Sequence, residues 1–268
     1  MSNQHPTAPL AFITGASSGI GQALAARFAR SGYRLALVAR RTTEMQAFAD
    51  ANGWGPDRCR VYGADVADIN SIVAAGQACL AAQGVPDVVV ANAGVSIGMD
   101  TTERDDLDVM ARTFALNNTG VAATFHPFVA AMAARGSGVL VGIASVAAIR
   151  GLPGHGAYCA SKAAVVAYCE SLRGELRGSG VLVVTLLPGY VDTPLTRENR
   201  YAMPFLLSPE TFADRAFDAI LGGVSYRVIP WQMGLVAKLL RLLPNALFDR
   251  ALSGRARKHR EGAAKRNP

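Results

Sequence analysis

Short apolar runs alternate along the chain with longer stretches of helical periodicity, and this alternation predicts the secondary structure. The apolar runs predict strands near residues 10–14, 33–39, 60–64, 88–91, 139–143 and 181–187. Helices are predicted between them, near residues 22–29, 43–51, 69–82, 113–134 and 158–176. Strands that alternate with helices indicate a parallel, doubly wound, Rossmann-type sheet with right-handed crossovers. We therefore expect an α/β fold with helices on both faces of the sheet.

The chain has no Pro/Gly/Ser-rich linker that would divide its 268 residues. We expect one catalytic domain over residues 8–253, including an apolar helical segment at 231–253. Half of the residues are hydrophobic and 18% are charged, which is enough to fill a core on both sides of a sheet. Residues 113–134 carry no formal charge, but polar residues and a proline interrupt them. A buried helix therefore explains this stretch better than a membrane span.

The cysteine pattern bears on the compartment and on metal binding. The four cysteines form no Cys-x-x-Cys pair and no zinc spacing with the four histidines. The N-terminus has no apolar signal segment. We therefore expect a reduced, cytoplasmic protein without a metal site.

Glycines follow the first predicted strand at Gly15, Gly19 and Gly21, and a helix comes next. A strand that turns through glycines into a helix presents backbone N–H groups and the positive end of the helix dipole to an anion. This arrangement is typical of a dinucleotide pyrophosphate site. Gly15-x-Ser17-x-Gly19 also matches the nucleophile elbow of hydrolases. Only 16 residues precede Ser17, too few for the strands that normally come before an elbow. A merely structural turn is the other alternative.

Two arginines, Arg40 and Arg41, end the second predicted strand, nineteen residues after Gly21. An acidic residue near this position binds the adenosine ribose hydroxyls of NAD, whereas arginine accommodates the 2′-phosphate of NADP. The pair therefore favours NADP over NAD. A solvated edge of the sheet would also explain paired arginines before a polar helix.

Tyr158 and Lys162 are four residues apart in a predicted helix, so their side chains share one face. A cation beside a phenol favours the phenolate and moves its pKa from about 10 toward the working range. Ser145 follows the apolar strand at 139–143, at the end of the sheet where ligands bind. Helical spacing and a capping serine also occur by chance, so these residues gain weight from the other motifs.

Taken together, these residues resemble the short-chain dehydrogenase/reductase family in its short, single-domain form. The motifs occur in family order between Leu10 and about Pro230 and comprise the glycine turn, Asp65, Asn92-Ala93-Gly94, Asn117, Ser145, Tyr158-x-x-x-Lys162 and Pro188-Gly189. Two departures are mild, namely Ala91 before Asn92 and Val-Ala-Ala after Ser145, and neither removes a catalytic group.

The resemblance implies hydride transfer between a nicotinamide and a carbonyl or alcohol carbon. Tyr158 would donate or accept the proton, Ser145 would hydrogen-bond the substrate oxygen, and Asn117 would place a water in the proton relay. Lys162 would hold the nicotinamide ribose and lower the pKa of the phenol. The implied cofactor-binding residues are Gly15, Ser17, Ser18, Gly19, Ile20, Gly21, Arg40, Arg41, Asp65, Val66, Asn92, Ala93, Gly94, Tyr158, Lys162, Pro188, Gly189, Val191 and Thr193. An NADP-binding sensor or scaffold without turnover is the competing function, but it would have no physical need for the complete catalytic set.

Two further stretches bear on the substrate and on assembly. Residues 194–207 are largely apolar and should form a substrate flap, which suggests a hydrophobic substrate, although packing against the core or a second subunit would also explain them. The helix at 116–134 and the Tyr158 helix resemble the pair that family members pack across a two-fold interface. A homodimer or homotetramer is therefore expected.

The C-terminal region is apolar from 231 to 252 and then basic over a tail at 254–268, which supplies +5 of the formal charge of +7. One interpretation is that the apolar helix packs on the core or a partner subunit and that the tail is solvated and disordered. Another is that 231–268 lies on the anionic inner face of a membrane. Nucleic acid is a weaker alternative because no aromatic residues are interleaved in the tail to stack on bases.

Overall fold

A computed structural model describes residues 8–197, 199, 202–254, 258, 260 and 261. This part of the chain contains seven β-strands and ten α-helices. The strands are β1 (Leu10–Thr14), β2 (Arg34–Ala39), β3 (Cys59–Gly63), β4 (Val88–Ala91), β5 (Gly138–Ile143), β6 (Val181–Pro188) and β7 (Tyr226–Ile229). The helices are α1 (Gly19–Arg30), α2 (Thr42–Ala51), α3 (Ile69–Gln83), α4 (Asp106–Phe114), α5 (Gly120–Arg135), α6 (Gly156–Glu175), α7 (Pro194–Arg197), α8 (Pro209–Leu221), α9 (Trp231–Leu242) and α10 (Asn245–Leu252).

The seven strands form one sheet in the order β3-β2-β1-β4-β5-β6-β7. Every pair of neighbouring strands is parallel. The chain runs outward from β1 to β3, returns to β4 beside β1, and then runs outward the other way. This reversal opens a crevice at the carboxyl ends of β1 and β4, where ligands bind in doubly wound sheets. The predicted fold class, a single-domain α/β sheet of the Rossmann type, is confirmed.

Apolar side chains cover both faces of the sheet in two separate clusters. One cluster contains Ile13, Leu37 and Phe28 from β1, β2 and α1. The other contains Phe12 and Phe128, whose ring centroids are 4.7 Å apart. Successive residues of β1 thus point to opposite faces, and both faces are buried. This arrangement explains why the strands are continuous apolar runs.

The prediction of a single helix over residues 113–134 is wrong, because the structure divides this stretch into separate helical segments. α4 starts at Asp106, a π-helical turn follows at Ala115–Thr119, and α5 runs on to Arg135. The stretch 103–108 is mostly acidic, so an apolar pattern does not reveal the first part of α4. The sequence analysis also predicted neither α8 nor β7. Here the short strand β7 occupies the sheet edge with exposed Tyr226 and Arg227.

The C-terminal segment forms α9 and α10, which are separated at Pro244, and α9 packs against β7. None of the helices in the described ranges is long and apolar enough to cross a bilayer. Most of the basic tail predicted over 254–268 lies outside the described residues. Lys258, Arg260 and Glu261 are described, and each contacts the body of the domain. These three residues therefore lie against the domain, although Glu261 remains exposed to solvent.

Candidate active site

The glycine-rich turn links β1 to α1 in a conformation that only glycine adopts readily. Gly15 and Gly19 have φ values of +67° and +55°. A Cβ atom on Gly21 would lie 2.2 Å from the carbonyl oxygen of Gly15, so Gly21 lets the helix pack closely against the turn. The predicted roles of the glycines therefore separate into two kinds. Gly15 and Gly19 shape the loop, whereas Gly21 serves helix packing.

The amino end of α1 fits the pyrophosphate of a dinucleotide. Ser18 at the N-cap makes no side-chain capping hydrogen bond, and the first turn carries no acidic residue. The first N–H groups of a helix have no partner inside the helix and form, with the helix dipole, an anion site. The sequence and geometry of this turn therefore suit a nicotinamide dinucleotide.

Arg40 and Arg41 extend the site from the carboxyl end of β2. The guanidinium of Arg41 donates a hydrogen bond to the Ser17 hydroxyl over 3.2 Å and pairs with Glu44 at 3.0 Å. Arg40 lies 3.9 Å from the carboxylate of Asp65, and both arginines are largely exposed. Two cations thus lie beside the glycine-rich turn, where they can reach a ligand phosphate.

Hydrogen bonds of Thr14 join the end of β4 to the end of β1. The sequence analysis assigned no role to this residue. Its hydroxyl oxygen accepts hydrogen bonds from the backbone N–H groups of Asn92 at 3.0 Å and Ala93 at 3.2 Å. In return, the Asn92 amide donates to the carbonyl oxygen of Thr14 over 3.0 Å. This pairing holds the crevice between β1 and β4 at a fixed width. Its only sequence signal is the position of Thr14 directly before the glycine turn.

Asn117 is fully buried in the π-helical turn, and its side chain bonds to protein groups. The Oδ1 atom accepts from the Val95 N–H at 2.8 Å, and Nδ2 donates to the Val95 carbonyl at 2.9 Å and to the Ser161 hydroxyl at 3.0 Å. A Cβ atom on Gly94 would lie 3.2 Å from this Oδ1 and 3.3 Å from the ammonium of Lys162. Asn117 therefore connects the strand-end loop to α6, and its side chain does not face the cleft.

Tyr158 and Lys162 share one face of α6, as the spacing predicts. The Lys162 ammonium lies 6.0 Å from the centre of the Tyr158 ring and donates to the carbonyl oxygen of Ile143 over 2.8 Å. Burial lowers the pKa of Lys162 to about 8. The pKa of Tyr158 is raised by burial, while a hydrogen bond with Ser145 acts in the opposite direction. Burial is the largest cause of the shift in the pKa of Tyr158.

One cleft of about 310 Å³ brings nearly all of the predicted residues together. Its wall includes Ser145, Tyr158 and Lys162 and the predicted cofactor-binding residues apart from Gly21. Asn117 is also absent from the wall, because its side chain is turned into the protein. Val95 and Leu116 line the cleft without having been predicted, whereas Leu195 and Thr196 belong to the predicted flap. An apolar position beside a motif gives no sequence signal for such contacts.

The described residues of the tail contact two segments that are distant in sequence, the predicted flap and the segment that leads into α4. The ammonium of Lys258 donates to the carbonyl oxygen of Leu195 at 2.9 Å and to Asn199 at 3.1 Å. Arg260 donates to the carboxylate of Asp106 over 2.6 Å, and Asp106 is almost fully buried. The tail thus connects the predicted flap with the loop before α4.

Among the described residues, no group of three or more His, Cys, Asp or Glu side chains is placed to hold a metal ion. The four cysteines are buried, and none is paired in a disulfide. The site therefore combines three parts around one crevice. These are the glycine-rich turn, the guanidinium groups of Arg40 and Arg41, and the side chains of Ser145, Tyr158 and Lys162.

The sequence matches the short chain dehydrogenase family over residues 9–203. The chain is a short-chain dehydrogenase/reductase. This short-chain dehydrogenase/reductase is 38% identical over 241 residues to an uncharacterized oxidoreductase of Myxococcus xanthus, an alignment that covers 90% of this chain and 95% of the relative. The enzyme class is thus established, and the chain is an oxidoreductase that binds a nicotinamide cofactor.

Solved structures of other short-chain dehydrogenases/reductases have the same architecture. The enzyme from Burkholderia phymatum, in complex with NAD, superposes with a TM-score of 0.78 at 26% identity and covers 87% of this chain and 92% of its own. The enzyme from Sphingobium yanoikuyae, in complex with NADPH, superposes with a TM-score of 0.73 at 26% identity and covers 89% of this chain and 97% of its own. Because one holds NAD and the other NADPH, similarity alone does not fix the phosphate preference of this short-chain dehydrogenase/reductase.

Proposed function

We propose that the chain is an NADP(H)-dependent oxidoreductase that transfers a hydride between the nicotinamide and a carbonyl or secondary alcohol carbon of a hydrophobic substrate. The observation that carries this proposal is the position of Ser145, Tyr158 and Lys162 in the wall of the cleft that also contains the glycine-rich turn. When bound, the nicotinamide supplies the hydride donor or acceptor.

The side chains provide the proton transfer that accompanies this chemistry. Tyr158 transfers a proton to or from the substrate oxygen, and the Ser145 hydroxyl donates a hydrogen bond to that oxygen as charge develops on it. The Ser145 side chain acts to lower the pKa of Tyr158, and this proximity supports the assignment, because both hydroxyls can converge on one substrate atom. The ammonium of Lys162, fixed on the Ile143 carbonyl, binds ribose hydroxyls and favours the phenolate. Asn117 is a positioning residue that holds Val95 and Ser161 in place.

The preference for NADP rests on Arg40 and Arg41. Both guanidinium groups lie at the cleft beside the glycine-rich turn, and neither position carries the acidic residue that would favour NAD. Arginine binds phosphate through short, charge-assisted hydrogen bonds. The Asp65 carboxylate next to Arg40 lines the same end of the cleft and contributes to the adenine side of the site.

The hydrophobic substrate class rests on the flap over residues 194–207. Leu195, Phe205 and Leu206 are exposed large apolar side chains of this segment, and Leu195 also lines the cleft. Tyr201 of the flap lies outside the described residues. Apolar side chains beside a polar catalytic centre suit a substrate with one reacting oxygen on a hydrocarbon body.

A homodimer or homotetramer is the assembly that goes with this function. The outward side of α6 presents Ala160, Ala163 and Ala167, which are exposed, small and uncharged, and α5 presents Ala130 and Ala134. Such flat helical faces allow a second copy to approach closely across a two-fold axis.

The four unpaired cysteines support the cytoplasm as the location.

The proposed function is tested by screening aldehydes, ketones and alcohols with NADPH and NADP⁺ and, in parallel, with NADH and NAD⁺. The absorbance of the reduced nicotinamide is followed, and apolar carbonyl compounds are expected to turn over fastest with NADPH. Tight NADP binding without turnover of any compound would instead favour the sensor or scaffold function. Faster turnover with NADH would overturn the cofactor assignment.

A further inference from the structure

The C-terminal helices α9 and α10 are fixed on the body of the domain by one side. Met233, Gly234 and Ala237 of α9 are buried, and a Cβ atom on Gly234 would lie 3.2 Å from the Val228 side chain. Phe248 is the buried residue of α10, and the Arg150 guanidinium lies 3.7 Å from the centre of its ring. Arg150 also donates to the carbonyl oxygens of Leu240 and Leu243. These contacts determine which side of the two helices faces outward.

The outward side is apolar and carries no covering element among the described residues. Leu242 is 79% exposed, Trp231 64% and Leu239 63%. The remaining members of this α9–α10 face are Leu235, Val236, Leu243 and Leu247. In the described part of the chain, these seven account for nearly half of the fifteen exposed large hydrophobic side chains. α9 therefore packs on the domain by one side only.

The charge of the chain is concentrated in the same region. Residues 231–268 contain nine basic and two acidic residues, a surplus of seven that equals the formal net charge of the whole chain. Residues 1–230 are consequently balanced. Lys238 and Arg241 are exposed on α9, three and four residues from members of the apolar face, and Arg250 is exposed on α10. The apolar face is thus flanked by cations.

We propose that the α9–α10 face docks on an anionic lipid bilayer. The apolar side chains enter the boundary between headgroups and acyl chains, while the exposed Lys238, Arg241 and Arg250 contact lipid phosphates. Trp231, at the start of α9, has the amphipathic ring that favours a membrane interface. The docked segment lies on the membrane and does not cross it.

Two other occupants fit the same face less well. A second copy related by a two-fold axis would bring this patch against itself, so the cations around it would face like charges. Nucleic acid would match the cations but would leave a surface of aliphatic side chains against phosphates, and Trp231 is the one aromatic residue there to stack on a base. A bilayer with acidic headgroups complements both the apolar centre and the basic surround.

Trp231 offers a direct measurement, because the chain contains only one other tryptophan. Trp54 is buried and packs against Phe48, so Trp54→Phe leaves the exposed Trp231 as the single reporter in an otherwise full-length chain. Its fluorescence is recorded with vesicles of phosphatidylcholine alone and of phosphatidylcholine mixed with phosphatidylglycerol, at low and physiological salt. We expect a blue shift with the mixed vesicles that weakens with salt. Co-sedimentation of the unmodified chain provides a second measurement.

Substitutions separate the apolar from the ionic contribution. Leu239→Ser with Leu242→Ser should lower the vesicle partition coefficient about a hundredfold, since each leucine loses the gain from burial in an apolar phase. Lys238→Gln with Arg241→Gln should lower it about twentyfold for anionic vesicles. Ile69→Ser with Leu107→Ser removes two exposed apolar side chains elsewhere and should leave binding unchanged.

Three results would overturn the proposal. The first is no shift and no pelleting with anionic vesicles at either salt concentration. The second is vesicle binding that Leu239→Ser with Leu242→Ser does not weaken. The third is a shift that occurs with DNA, or with dissociation of an oligomer in light scattering, but not with vesicles.

Discussion

At the scale of single residues, burial shifts the pKa values of two groups in the cleft. Lys162 is buried with its ammonium on the Ile143 carbonyl, and burial lowers its pKa to about 8. Tyr158 is a phenol whose pKa burial raises, in contact with Ser145. Perturbed groups that gather in one cleft are typical of catalytic sites. The three predictions at this scale concern Tyr158, Lys162 and Arg40.

Replacing Tyr158 by phenylalanine removes only the hydroxyl group. If this hydroxyl transfers the proton, Tyr158→Phe should lower kcat by about a hundredfold to ten-thousandfold while the Kd for NADP stays within about twofold. Steady-state assays and fluorescence titration of the cofactor measure the two quantities. Tyr168→Phe is the matched control on α6, where Tyr168 stacks on Phe125 with ring centroids 6.4 Å apart, and it should keep its kcat. Near-normal turnover of Tyr158→Phe would remove Tyr158 from the mechanism.

Replacing Lys162 by methionine should stabilise the fold while abolishing activity. At pH 7 the folded chain holds a buried ammonium whose burial costs free energy, and its pKa of about 8 lies below the ordinary value of 10.5. At pH values between these two pKa values, Lys162 is protonated in the unfolded chain but neutral in the folded chain. The stability of the unmodified protein therefore rises with pH in this range. We expect Lys162→Met to raise the free energy of unfolding by about 2 kcal/mol at pH 7. This value allows for the loss of the hydrogen bond from Lys162 to the Ile143 carbonyl.

Urea unfolding at pH 7 and near the ordinary lysine pKa of about 10.4 measures this difference, which should nearly vanish at the higher pH. Arg173→Met removes an exposed cation from the same helix and should give no such pH-dependent gain. Equal destabilisation of Lys162→Met at both pH values would show that Lys162 is a structural residue of the core.

Reversing the charge of Arg40 should change the cofactor preference. Arg40→Asp places a carboxylate where the proposed 2′-phosphate is bound, so the Kd for NADP should rise about tenfold to a hundredfold. The Kd for NAD should change little or fall, because an acidic residue at this position can accept hydrogen bonds from ribose hydroxyls. Arg104→Asp alters an exposed arginine that is paired with Asp108 outside the cleft and should leave both values unchanged. Equal affinities of the unmodified protein for the two cofactors would contradict the assignment.

At the scale of elements, the cleft depends on segments that are distant in sequence. The π-helical turn at Ala115–Thr119 places Asn117 against both the loop after β4 and α6. The described residues of the tail join the flap to the loop before α4 through Lys258 and Arg260. Hydrogen bonding to Arg260 is the main cause that holds the pKa of Asp106 below its ordinary value. The flap and the segment that leads into α4 are therefore connected through the C-terminus.

Removing Arg260 should loosen this connection. Arg260→Ala leaves the buried carboxylate of Asp106 without its guanidinium partner, so we expect the Tm at pH 7 to fall by a few degrees. The pKa of Asp106 is depressed in the folded state, so the stabilisation is present above the ordinary carboxyl pKa and is lost as the pH falls through the folded value. The Tm difference from the unmodified protein should accordingly shrink in acid.

Calorimetric scans at pH 7 and in the acid range measure this effect. Arg112→Ala is the matched control, because it removes an exposed pair with Glu261 of the same tail, 2.7 Å apart, and should change the Tm very little. A Tm loss for Arg260→Ala that persists undiminished in acid would point to lost packing and not to the ion pair.

At the scale of the whole molecule, residues 1–230 have balanced charges, and the C-terminal segment carries the positive surplus. The cleft with the glycine-rich turn lies at the carboxyl ends of β1 and β4, whereas the exposed apolar face belongs to α10 and to α9, which packs on the edge strand β7. The faces proposed for assembly, on α5 and α6, are a third surface. These positions allow cofactor binding, assembly and surface docking to be altered separately.

Assembly is tested by introducing charge on the outward side of α6. We expect a dimeric or tetrameric mass in light scattering for the unmodified protein. Ala163→Glu with Ala167→Glu should reduce that mass to the monomer, because the charges would have to be buried in the interface. Ala81→Glu with Ala82→Glu alters exposed alanines of α3 and should leave the mass unchanged. A monomeric mass of the unmodified protein at micromolar concentration would contradict the predicted assembly.

The sequence by itself determined the architecture and most of the cleft. Strands such as Val88–Ala91 are buried on both faces, so their apolar runs are continuous and visible without the structure. Gly15 and Gly19 have backbone conformations that disfavour other residues, so the turn is also encoded locally. Tyr158 and Lys162 share a helix face because of their spacing alone. In each case, the information lies within a few neighbouring residues.

Only the tertiary structure decided the features that depend on distant contacts. The inward turn of Asn117, the high pKa of Tyr158 and the meeting of Arg260 with Asp106 arise from burial and from residues far apart in the chain. The division of α9 into a buried and an exposed side was equally hidden, because leucines surround this helix and only its packing on β7 selects the covered side. Burial and long-range pairing are properties of the folded chain, and no local pattern of residues specifies them.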